Sequence, residues 1–450
     1  MHGPRTKELI KKELKHLIRP FGAFGRSPKM IWEKGEGVIL WDVDGNQYID
    51  LSSGRWQYMS LGWGRKELID AATEQMNKIS HMINADAFSS ELAIEYAAQL
   101  AAVLPGDINR VLFTCTGTNS TEAAIKISKL FWEIKGRGRK YKVLCLSDAY
   151  HGASHFAGTL MGHPGGRNPF GVEVPGVVRM PHYHCYRCPY KQTYPSCGVL
   201  CGRMIERIIE QEGPESIACM IAEPIQGTSG FIWPPEEFWS TVTKTLKKYD
   251  ILFIADEVQN GFCRTGKFWG VDNWNIIPDI LTMAKGINSA YIPLGAVGIS
   301  EELYKVLEGH NFLYGGTGHG SPIALATAKA ALRIYLEEDM AARSARLGEH
   351  IHKRLVNEFL PLPCVDDIMG KGCYQSFAFA LNKTTGSQFD QEAQNKAAEI
   401  LDNRFLEEGV LPRIEQARRV SITPPLVISE QELDKGLDIM LRVLKEVKPI

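Results

Sequence analysis

Short apolar segments recur along this 450-residue chain, and each is followed by a polar or glycine-containing loop and then by a helical pattern. Strands that are apolar throughout are buried on both faces, which is typical of a parallel sheet covered by helices on its two sides. The pattern therefore predicts an α/β fold with a doubly wound, mostly parallel sheet. The five segments are residues 111–114, 143–146, 219–222, 251–255 and 280–284.

Composition indicates the size of the protein and the class of its partners. Because 44% of the residues are hydrophobic and 23% are charged, the chain can form about two or three domains of roughly 150 residues each. Lysine and arginine total 51, and aspartate and glutamate total 52, so no net charge favours nucleic acid or an anionic membrane as a partner. We expect small molecules as partners instead.

The sequence also predicts the cellular compartment of the protein. No stretch approaches the roughly 18 apolar residues that a membrane-spanning helix needs, and the first residues lack the apolar core of a secretory signal. The ten cysteines are spread mostly through apolar segments, which fits reduced thiols better than a disulfide framework. We therefore expect a cytoplasmic protein without membrane contact.

In doubly wound sheets, ligands bind just beyond the carboxyl ends of the strands, so the residues after each apolar segment are candidate site residues. The first segment is followed by Thr116, Gly117 and Thr118, a hydroxyl-rich turn that leads into a helix predicted to begin near Thr121. Free amides and the helix dipole favour a phosphate at such a turn. The alternative is that these hydroxyls only cap the helix.

Other strand ends add polar and aromatic candidates. The second segment is followed by Tyr150 and His151, and the third by Glu223. An aromatic ring at this position can stack on a planar cofactor, although it can equally be ordinary core. The fourth segment leads to Val258 and Gln259, which are placed to pack on a ring and to donate a hydrogen bond to it.

Lys285 and Asp256 follow successive buried strands, and this pair indicates the chemistry of the site. A lysine that forms an imine, together with a carboxylate that keeps a pyridinium nitrogen protonated, is what pyridoxal phosphate requires. Burial beside other cations lowers the pKa of a lysine, so that its neutral amine can attack. The alternative for Lys285 is a solvated surface lysine, the commonest state of this residue type.

Two ordered segments resemble a known family. Residues 256–266, followed by residues 278–286, closely resemble the motif of class III pyridoxal-phosphate-dependent aminotransferases. The likeness extends from residues 41–50, which resemble the family's first hairpin, to residues 424–426. The resemblance implies the type I, aspartate-aminotransferase-like fold, with a small domain built from residues 1–60 and 331–450 around a large cofactor-binding domain of residues 61–330.

The resemblance also implies roles for single residues near the cofactor. Gly117 and Thr118 match the family's phosphate-binding turn, although residues 115–120 lack its usual acidic residue. Tyr150 matches the ring-stacking aromatic residue, and Glu223 matches an active-site carboxylate. Thr317 matches a threonine that reaches the phosphate of a neighbouring subunit, which implies a homodimer or a dimer of dimers.

Substrate contacts follow from the same resemblance. Arg413 matches an arginine that pairs with the substrate carboxylate in many members, and its alternative is a surface ion pair. Trp56 and Tyr150 fall where the family lines its substrate pocket, and Phe88 is expected to contribute from the partner subunit. The implied reaction is ping-pong transfer of an amino group from an amine or ω-amino acid, such as taurine, β-alanine or 4-aminobutyrate, to pyruvate or 2-oxoglutarate. A racemase, an aminomutase or a phospho-lyase of the same fold would use the same cofactor residues.

A cysteine cluster has no role in that chemistry. Its members, Cys185, Cys188, Cys197 and Cys201, have the number and nearly the spacing of a four-thiolate zinc site. The second pair is spaced by three residues rather than two, so a redox-sensitive or merely buried cluster is the alternative. A comparable insert in members that resemble taurine–pyruvate and β-alanine–pyruvate aminotransferases points to an ω-amino donor.

Overall fold

The computed structural model describes residues 3–82, 84–85, 87–163, 166–379, 391–415 and 419–446. Its central element is a seven-stranded sheet that contains all five predicted apolar strands. The strands of this sheet are β4 (Ile108–Thr114), β5 (Lys142–Leu146), β6 (Val177–Met180), β7 (Ile217–Ala222), β8 (Leu252–Asp256), β9 (Ile280–Met283) and β10 (Gly295–Ser300).

The order of these strands is β4-β10-β9-β8-β7-β5-β6. Strands β6, β5, β7, β8 and β9 pair in parallel, while β10 is antiparallel to both of its neighbours. The predicted α/β, mostly parallel sheet is therefore confirmed. The sequence analysis missed β6 and β10; the apolar pattern of β10 is interrupted by two glycines, one of which, Gly298, leaves no room for a Cβ beside Ile108 and Leu104.

Helices cover both faces of this sheet, and each buries an apolar stripe against it. Helix α4 shows the principle, because Ala123, Ile127 and Phe131 recur every four residues and are buried on one face of the helix. The helices are α1 (Pro4–His16), α2 (Lys66–Lys78), α3 (Glu91–Ala101), α4 (Gly117–Ile134), α5 (His155–Leu160), α6 (Leu200–Glu212), α7 (Phe238–Lys248), α8 (Glu301–Leu307), α9 (Pro322–Glu337), α10 (Met340–Arg354), α11 (Gln391–Glu407) and α12 (Glu430–Glu446).

Two four-stranded sheets are built from the two ends of the chain. Their orders are β1-β2-β3-β13 and β11-β12-β15-β14. Parallel pairing of Val410 with Ile49 and of Leu411 with Asp50 joins the ends. The strands are β1 (Trp32–Glu36), β2 (Ile39–Asp42), β3 (Gln47–Asp50), β11 (Val365–Lys371), β12 (Tyr374–Phe379), β13 (Val410–Leu411), β14 (Arg413–Glu415) and β15 (Arg419–Ile422). The domain limits at residues 60 and 330 stay a prediction. The strands of the two small sheets support it, because they come only from residues 32–50 and 365–422.

Across the described ranges, none of the helices combines the length and the apolar character that crossing a bilayer requires.

Candidate functional site

Asp256 and Lys285 lie at the same edge of the central sheet. Strands β8 and β9 are parallel neighbours whose register pairs Asp256 with Thr282. The Glu257 amide donates to the Thr282 carbonyl oxygen over 3.0 Å, and the Lys285 backbone then turns away from the sheet with φ of 46°. Because parallel strands end on one side, the two chemically important residues are brought together by the strand pairing itself.

Hydrogen bonds fix the Asp256 carboxylate. Its Oδ2 atom lies 2.7 Å from His151 Nδ1, and its Oδ1 atom accepts from the Thr282 hydroxyl and from the Val258 amide, each over 3.1 Å. The side chains of both Asp256 and His151 are buried. His151 was predicted as a cofactor contact, and in the structure it contacts the carboxylate. Its Nε2 atom is buried and has no hydrogen-bond partner among the described residues.

The electrostatic surroundings of Lys285 favour its neutral form. Burial has the largest effect on the pKa of Lys285 and the positive charge of Arg413 adds to it. Together they lower this pKa to about 7, against the opposing carboxylates of Glu223 and Asp256. An ammonium loses more solvation on burial than a neutral amine does. Near neutral pH, a substantial fraction of the Lys285 side chain is therefore a nucleophilic amine.

The predicted phosphate turn lies at the start of α4. This helix begins at Gly117, not near Thr121 as the sequence analysis expected, because the Thr116 hydroxyl accepts from the Asn119 amide and caps the helix there. The amides of Gly117 and Thr118 precede the first intrahelical hydrogen bond. Thr116 therefore acts as a cap, and the two amides after it are still available to an anion.

Close packing ties this turn to the neighbouring strand ends. Ser120 Oγ donates to the Met283 carbonyl oxygen over 3.1 Å. This bond ties α4 to the end of β9, two residues before Lys285. A Cβ at Gly117 would lie 2.9 Å from Val258 Cγ1 and 3.5 Å from Ala284 Cβ. Glycine at this position therefore lets the α4 backbone approach the predicted ring-packing residue.

Glu223 organises two loops beside Asp256. Its two carboxylate oxygens accept from the Tyr150 amide over 2.9 Å and from the Gly227 amide over 2.7 Å. Burial, opposed by His151 and reinforced by the charge of Asp256, raises the pKa of Glu223 to about 7. The loop that carries the predicted stacking residue Tyr150 is thus held by the predicted carboxylate.

Gln259 contacts both the loop after β7 and a small sheet. The Tyr374 hydroxyl donates to Gln259 Oε1 over 3.1 Å, and Gln259 Nε2 donates to the Thr228 hydroxyl over 3.4 Å. Its amide orientation is therefore set by that loop and by β12.

An irregular turn carries Trp56. Ser53, Arg55 and Gln57 all have positive φ, and the buried Asp50 carboxylate supports this strained turn by accepting from the amides of Ser52 and Gly54. The ring of Trp56 is partly exposed and packs edge-on against Phe21, with ring centroids 5.0 Å apart.

Arg413 lies beside that turn. Its Nη1 atom donates to the Arg55 carbonyl oxygen over 2.7 Å, and its guanidinium carbon is 5.7 Å from the centre of the Trp56 ring. Its Nε atom is 3.0 Å from Glu415 Oε2. The expected alternative, an ion pair, is therefore present, but its carboxylate is buried and does not lie on the surface.

Thr317 and Phe88 are exposed on the single chain, with 62% of Phe88 accessible. The loop around Thr317 rests on its own chain's phosphate turn, where the Tyr314 hydroxyl donates to the Asn119 carbonyl oxygen over 2.7 Å. Neighbouring Leu313 is 92% exposed. Their roles at a subunit interface stay predictions.

The four clustered cysteines line one small cavity together with His182 and His184. Within the described ranges, no three histidine, cysteine, aspartate or glutamate side chains are arranged to hold a metal ion. The four-thiolate zinc site therefore stays a hypothesis, which a metal assay of the purified protein tests.

Sequence reasoning missed several residues of the site. Glu415, Tyr374 and Asp50 come from strands of the small sheets. Tyr374 lies far along the chain from Gln259, and Glu415 lies far from Gln57, whereas Asp50 is close in sequence to the turn that it supports. For Glu415 a signal did exist, because residues two apart on a strand point to the same side, and Glu415 follows Arg413 in β14.

Comparison with known proteins identifies the family. Residues 23–444 match the model of the class III aminotransferases. The chain is 31% identical over 447 residues to a putrescine–pyruvate aminotransferase of Pseudomonas aeruginosa, covering 98% of this chain and 97% of that one. It is 32% identical over 443 residues to mitochondrial gamma-aminobutyrate transaminase 1 of Solanum lycopersicum, covering 96% and 85%.

A solved structure agrees with these relatives. An (S)-enantioselective omega-transaminase from Thermomicrobium roseum superposes with a TM-score of 0.93 at 33% identity, over 99% of this chain and 100% of that one. The fold is therefore type I, as expected from the resemblance.

The residues at the strand ends fit pyridoxal phosphate. Helix α4 supplies uncommitted amides for a phosphate, Gly117 leaves room beside Val258, and the buried pair of Asp256 and His151 offers a carboxylate and an unpartnered ring nitrogen. Lys285 supplies an amine with a depressed pKa. The chain belongs to the class III aminotransferases and is a pyridoxal-phosphate-dependent transaminase.

Proposed function

We propose that this enzyme transfers the amino group of an amine or ω-amino acid, such as taurine, β-alanine or 4-aminobutyrate, to pyruvate or 2-oxoglutarate. The observation that carries the proposal is the placement of Lys285 and Asp256 at adjacent strand ends in a class III chain. Relatives named for putrescine–pyruvate and gamma-aminobutyrate transamination support the substrate class.

The catalytic roles follow from the contacts. When bound, pyridoxal phosphate supplies a protonated ring that withdraws electrons from the substrate's amine-bearing carbon. Lys285 Nζ would accept the proton that leaves this carbon and deliver it to the C4′ carbon of the cofactor. The Asp256 carboxylate, oriented by His151 and Thr282, balances the positive charge of the ring.

Further residues hold the cofactor in our proposal. At the start of α4, the amides of Gly117 and Thr118 and the Thr118 hydroxyl would hold its phosphate, and Thr116 would orient them as the helix cap. Tyr150 and Val258 would pack on the two faces of its ring, and Gln259 would donate to the phenolic oxygen. Glu223 keeps the loop of Tyr150 in place.

We also propose a homodimer or a dimer of dimers, in which the partner subunit's Thr317 completes the phosphate site. The exposure of Leu313 beside Thr317 supports a covering partner. The ten free cysteines fit a reducing compartment, and we propose a cytoplasmic location without nucleic-acid or membrane partners.

Substrate recognition is assigned to one side of the pocket. Trp56 and Tyr150 pack on the apolar part of the substrate, and Arg413 pairs with the carboxylate of the oxo acid. Because donor and acceptor use the same pocket in turn, the carbonyl product of the donor leaves before the oxo acid binds.

A panel of taurine, β-alanine, 4-aminobutyrate and putrescine, each tested with pyruvate and with 2-oxoglutarate, tests this proposal. We expect sustained turnover with at least one pair and only a single turnover when the oxo acid is omitted. Continued turnover of one amine without any oxo acid would indicate a racemase, a mutase or a lyase and would refute the transaminase mechanism.

A further inference from the structure

A tyrosine from a small sheet reaches the candidate cofactor site, and the mechanism above does not use it. Tyr374 lies at the start of β12, its side chain is fully buried, and its ring packs against that of Phe231 with centroids 3.9 Å apart. Its hydroxyl donates to Gln259 Oε1 over 3.1 Å. A buried tyrosine hydroxyl usually has a hydrogen-bond partner, and here that partner is a side chain with a proposed role at the cofactor.

The loop after β7 leaves room for this contact. A Cβ at Gly227 would overlap both the Tyr374 hydroxyl oxygen and Gln259 Oε1. The Gly227 amide donates to the Glu223 carboxylate over 2.7 Å, which holds the backbone in place. The two polar groups therefore meet at a point where only a glycine fits.

The Tyr374 hydroxyl stays protonated in this environment. Burial has the largest effect on its pKa, and the negative charges of Glu223 and Glu415 reinforce that effect against the positive charge of Arg264. Together they hold the pKa of Tyr374 well above the ordinary value of 10.0. Tyr374 is therefore a hydrogen-bond donor throughout the neutral range.

This donor determines which way the Gln259 amide points. An amide oxygen can only accept, so Oε1 faces Tyr374 and Nε2 faces the other way. The nitrogen carries two hydrogens, and in the described part of the chain its one side-chain partner is the Thr228 hydroxyl, at a long 3.4 Å. Nε2 can therefore still donate to an acceptor that enters the site.

We propose that Tyr374 is a positioning residue that keeps Gln259 Nε2 turned toward the phenolic oxygen of the cofactor and thereby sets the proton affinity of the imine that Lys285 forms with it. A reversed amide would place two acceptors, Oε1 and the phenolic oxygen, against each other. A donor stabilises the phenolate most when the imine carries no proton to share with it, so the contact lowers the pKa of the imine. This inference rests on the proposed contact between Gln259 and the cofactor.

Other charges act on the same imine and must be kept constant in a test. The charged groups that face Lys285 or Tyr374 come from several elements of both domains: Glu223, Asp256, Arg264, Arg413 and Glu415. Tyr374→Phe alters none of them and retains the ring that packs against Phe231. A changed pKa of the imine in this variant therefore reports the loss of the hydroxyl.

Spectrophotometric pH titration of the holoenzyme tests the proposal, because the protonated and the neutral imine absorb at different wavelengths. In Tyr374→Phe we expect the pKa of the imine to rise by about 0.5 to 1, the scale of one net hydrogen bond. Tyr96→Phe is the matched control, since Tyr96 is also buried against a phenylalanine and its hydroxyl has no hydrogen-bond partner among the described residues. An unchanged pKa in Tyr374→Phe, or an equal rise in Tyr96→Phe, overturns the proposal.

A double-variant cycle separates the action through Gln259 from a general effect on the fold. Gln259→Leu should raise the pKa of the imine at least as much as Tyr374→Phe does, and adding Tyr374→Phe to it should cause no further rise. Additive rises would mean that Tyr374 acts by another route and would overturn the inference. No change in Gln259→Leu would overturn the proposed cofactor contact and this inference together, whereas a rise in Gln259→Leu without one in Tyr374→Phe would overturn this inference alone.

Discussion

At the scale of single residues, the reactivity of Lys285 depends on its surroundings. Burial, followed by the charge of Arg413, lowers its pKa to about 7 from the ordinary value of 10.5. The amine is therefore protonated and unreactive below about pH 7 and neutral above it. Lysines without such surroundings remain protonated well into the alkaline range.

This depressed pKa predicts the pH dependence of cofactor uptake. The rate at which cofactor-free enzyme takes up pyridoxal phosphate should fall as the pH drops below about 7, because only the neutral amine of Lys285 attacks. In Arg413→Leu the midpoint should move to higher pH, since one nearby positive charge is removed. Stopped-flow absorbance over a pH series measures both midpoints. A wild-type midpoint near 10 would contradict the electrostatic account.

Asp256 gives a second prediction at this scale. Asp256→Asn retains the oxygen that accepts from Thr282 but loses the negative charge, so kcat should fall on the order of 100-fold. The covalent attachment at Lys285 should persist, because the amine is unchanged. Asp250→Asn, an exposed aspartate paired with Arg137, is the control and should behave as wild type. A kcat within threefold of wild type in Asp256→Asn would remove the proposed role.

At the scale of elements, the N-terminus of α4 is positioned by contacts with its neighbours. The cap at Thr116, the bond from Ser120 to Met283 and the bare backbone at Gly117 together set its distance from β9 and from Val258. Because these groups are in direct contact, a small increase in side-chain volume at Gly117 must displace the phosphate turn.

Gly117→Ala tests this packing. The new Cβ would lie 2.9 Å from Val258 Cγ1, so α4 or Val258 must move and cofactor affinity should fall about 10-fold, the lower end of typical overpacking costs. Gly158→Ala in α5 is the matched control, because its Cβ meets no atom within 4 Å and alanine favours helices. Equilibrium titration with pyridoxal phosphate compares the two variants. Equal affinities in both would show that the turn tolerates displacement.

The sequence predicts the elements whose patterns are local. The five apolar strands and the residues directly after them, including Lys285 and Asp256, were identified because a buried strand and its following loop are contiguous. The start of α4 was misplaced, because Thr116 and Gly117 resemble loop residues when the capping bond is not known. Tyr374 was missed because strand pairing over a long sequence separation brings β12 to the site, and Glu415 was missed although it follows Arg413 by two residues on β14.

At the scale of the whole molecule, the two ends of the chain complete the site. Pairing of β13 with β3 places the turn of Trp56 beside Arg413, and Asp402 of α11 strengthens this junction through an ion pair with Arg55. One wall of the substrate pocket is therefore built only when both ends have folded against each other.

At this scale we predict that the subunits assemble through the surface around Leu313. Leu313→Glu puts a charge on a side chain that is 92% exposed beside Thr317, so a dimer that buries it should dissociate and lose activity. Ile400→Glu on α11, another exposed apolar position, is the control and should leave the mass unchanged. Light scattering coupled to size exclusion measures the mass of each. A wild-type monomer with full activity would refute the shared site.

The central claim is that Lys285 carries the cofactor and performs the proton transfer. Borohydride reduction of the purified enzyme, followed by peptide mass spectrometry, tests it most directly, with Lys285→Ala as the comparison. We predict one pyridoxyl phosphate group on the peptide that contains Lys285, and neither label nor turnover in the variant. A label on another lysine, or a Lys285→Ala enzyme that still turns over, would contradict the claim.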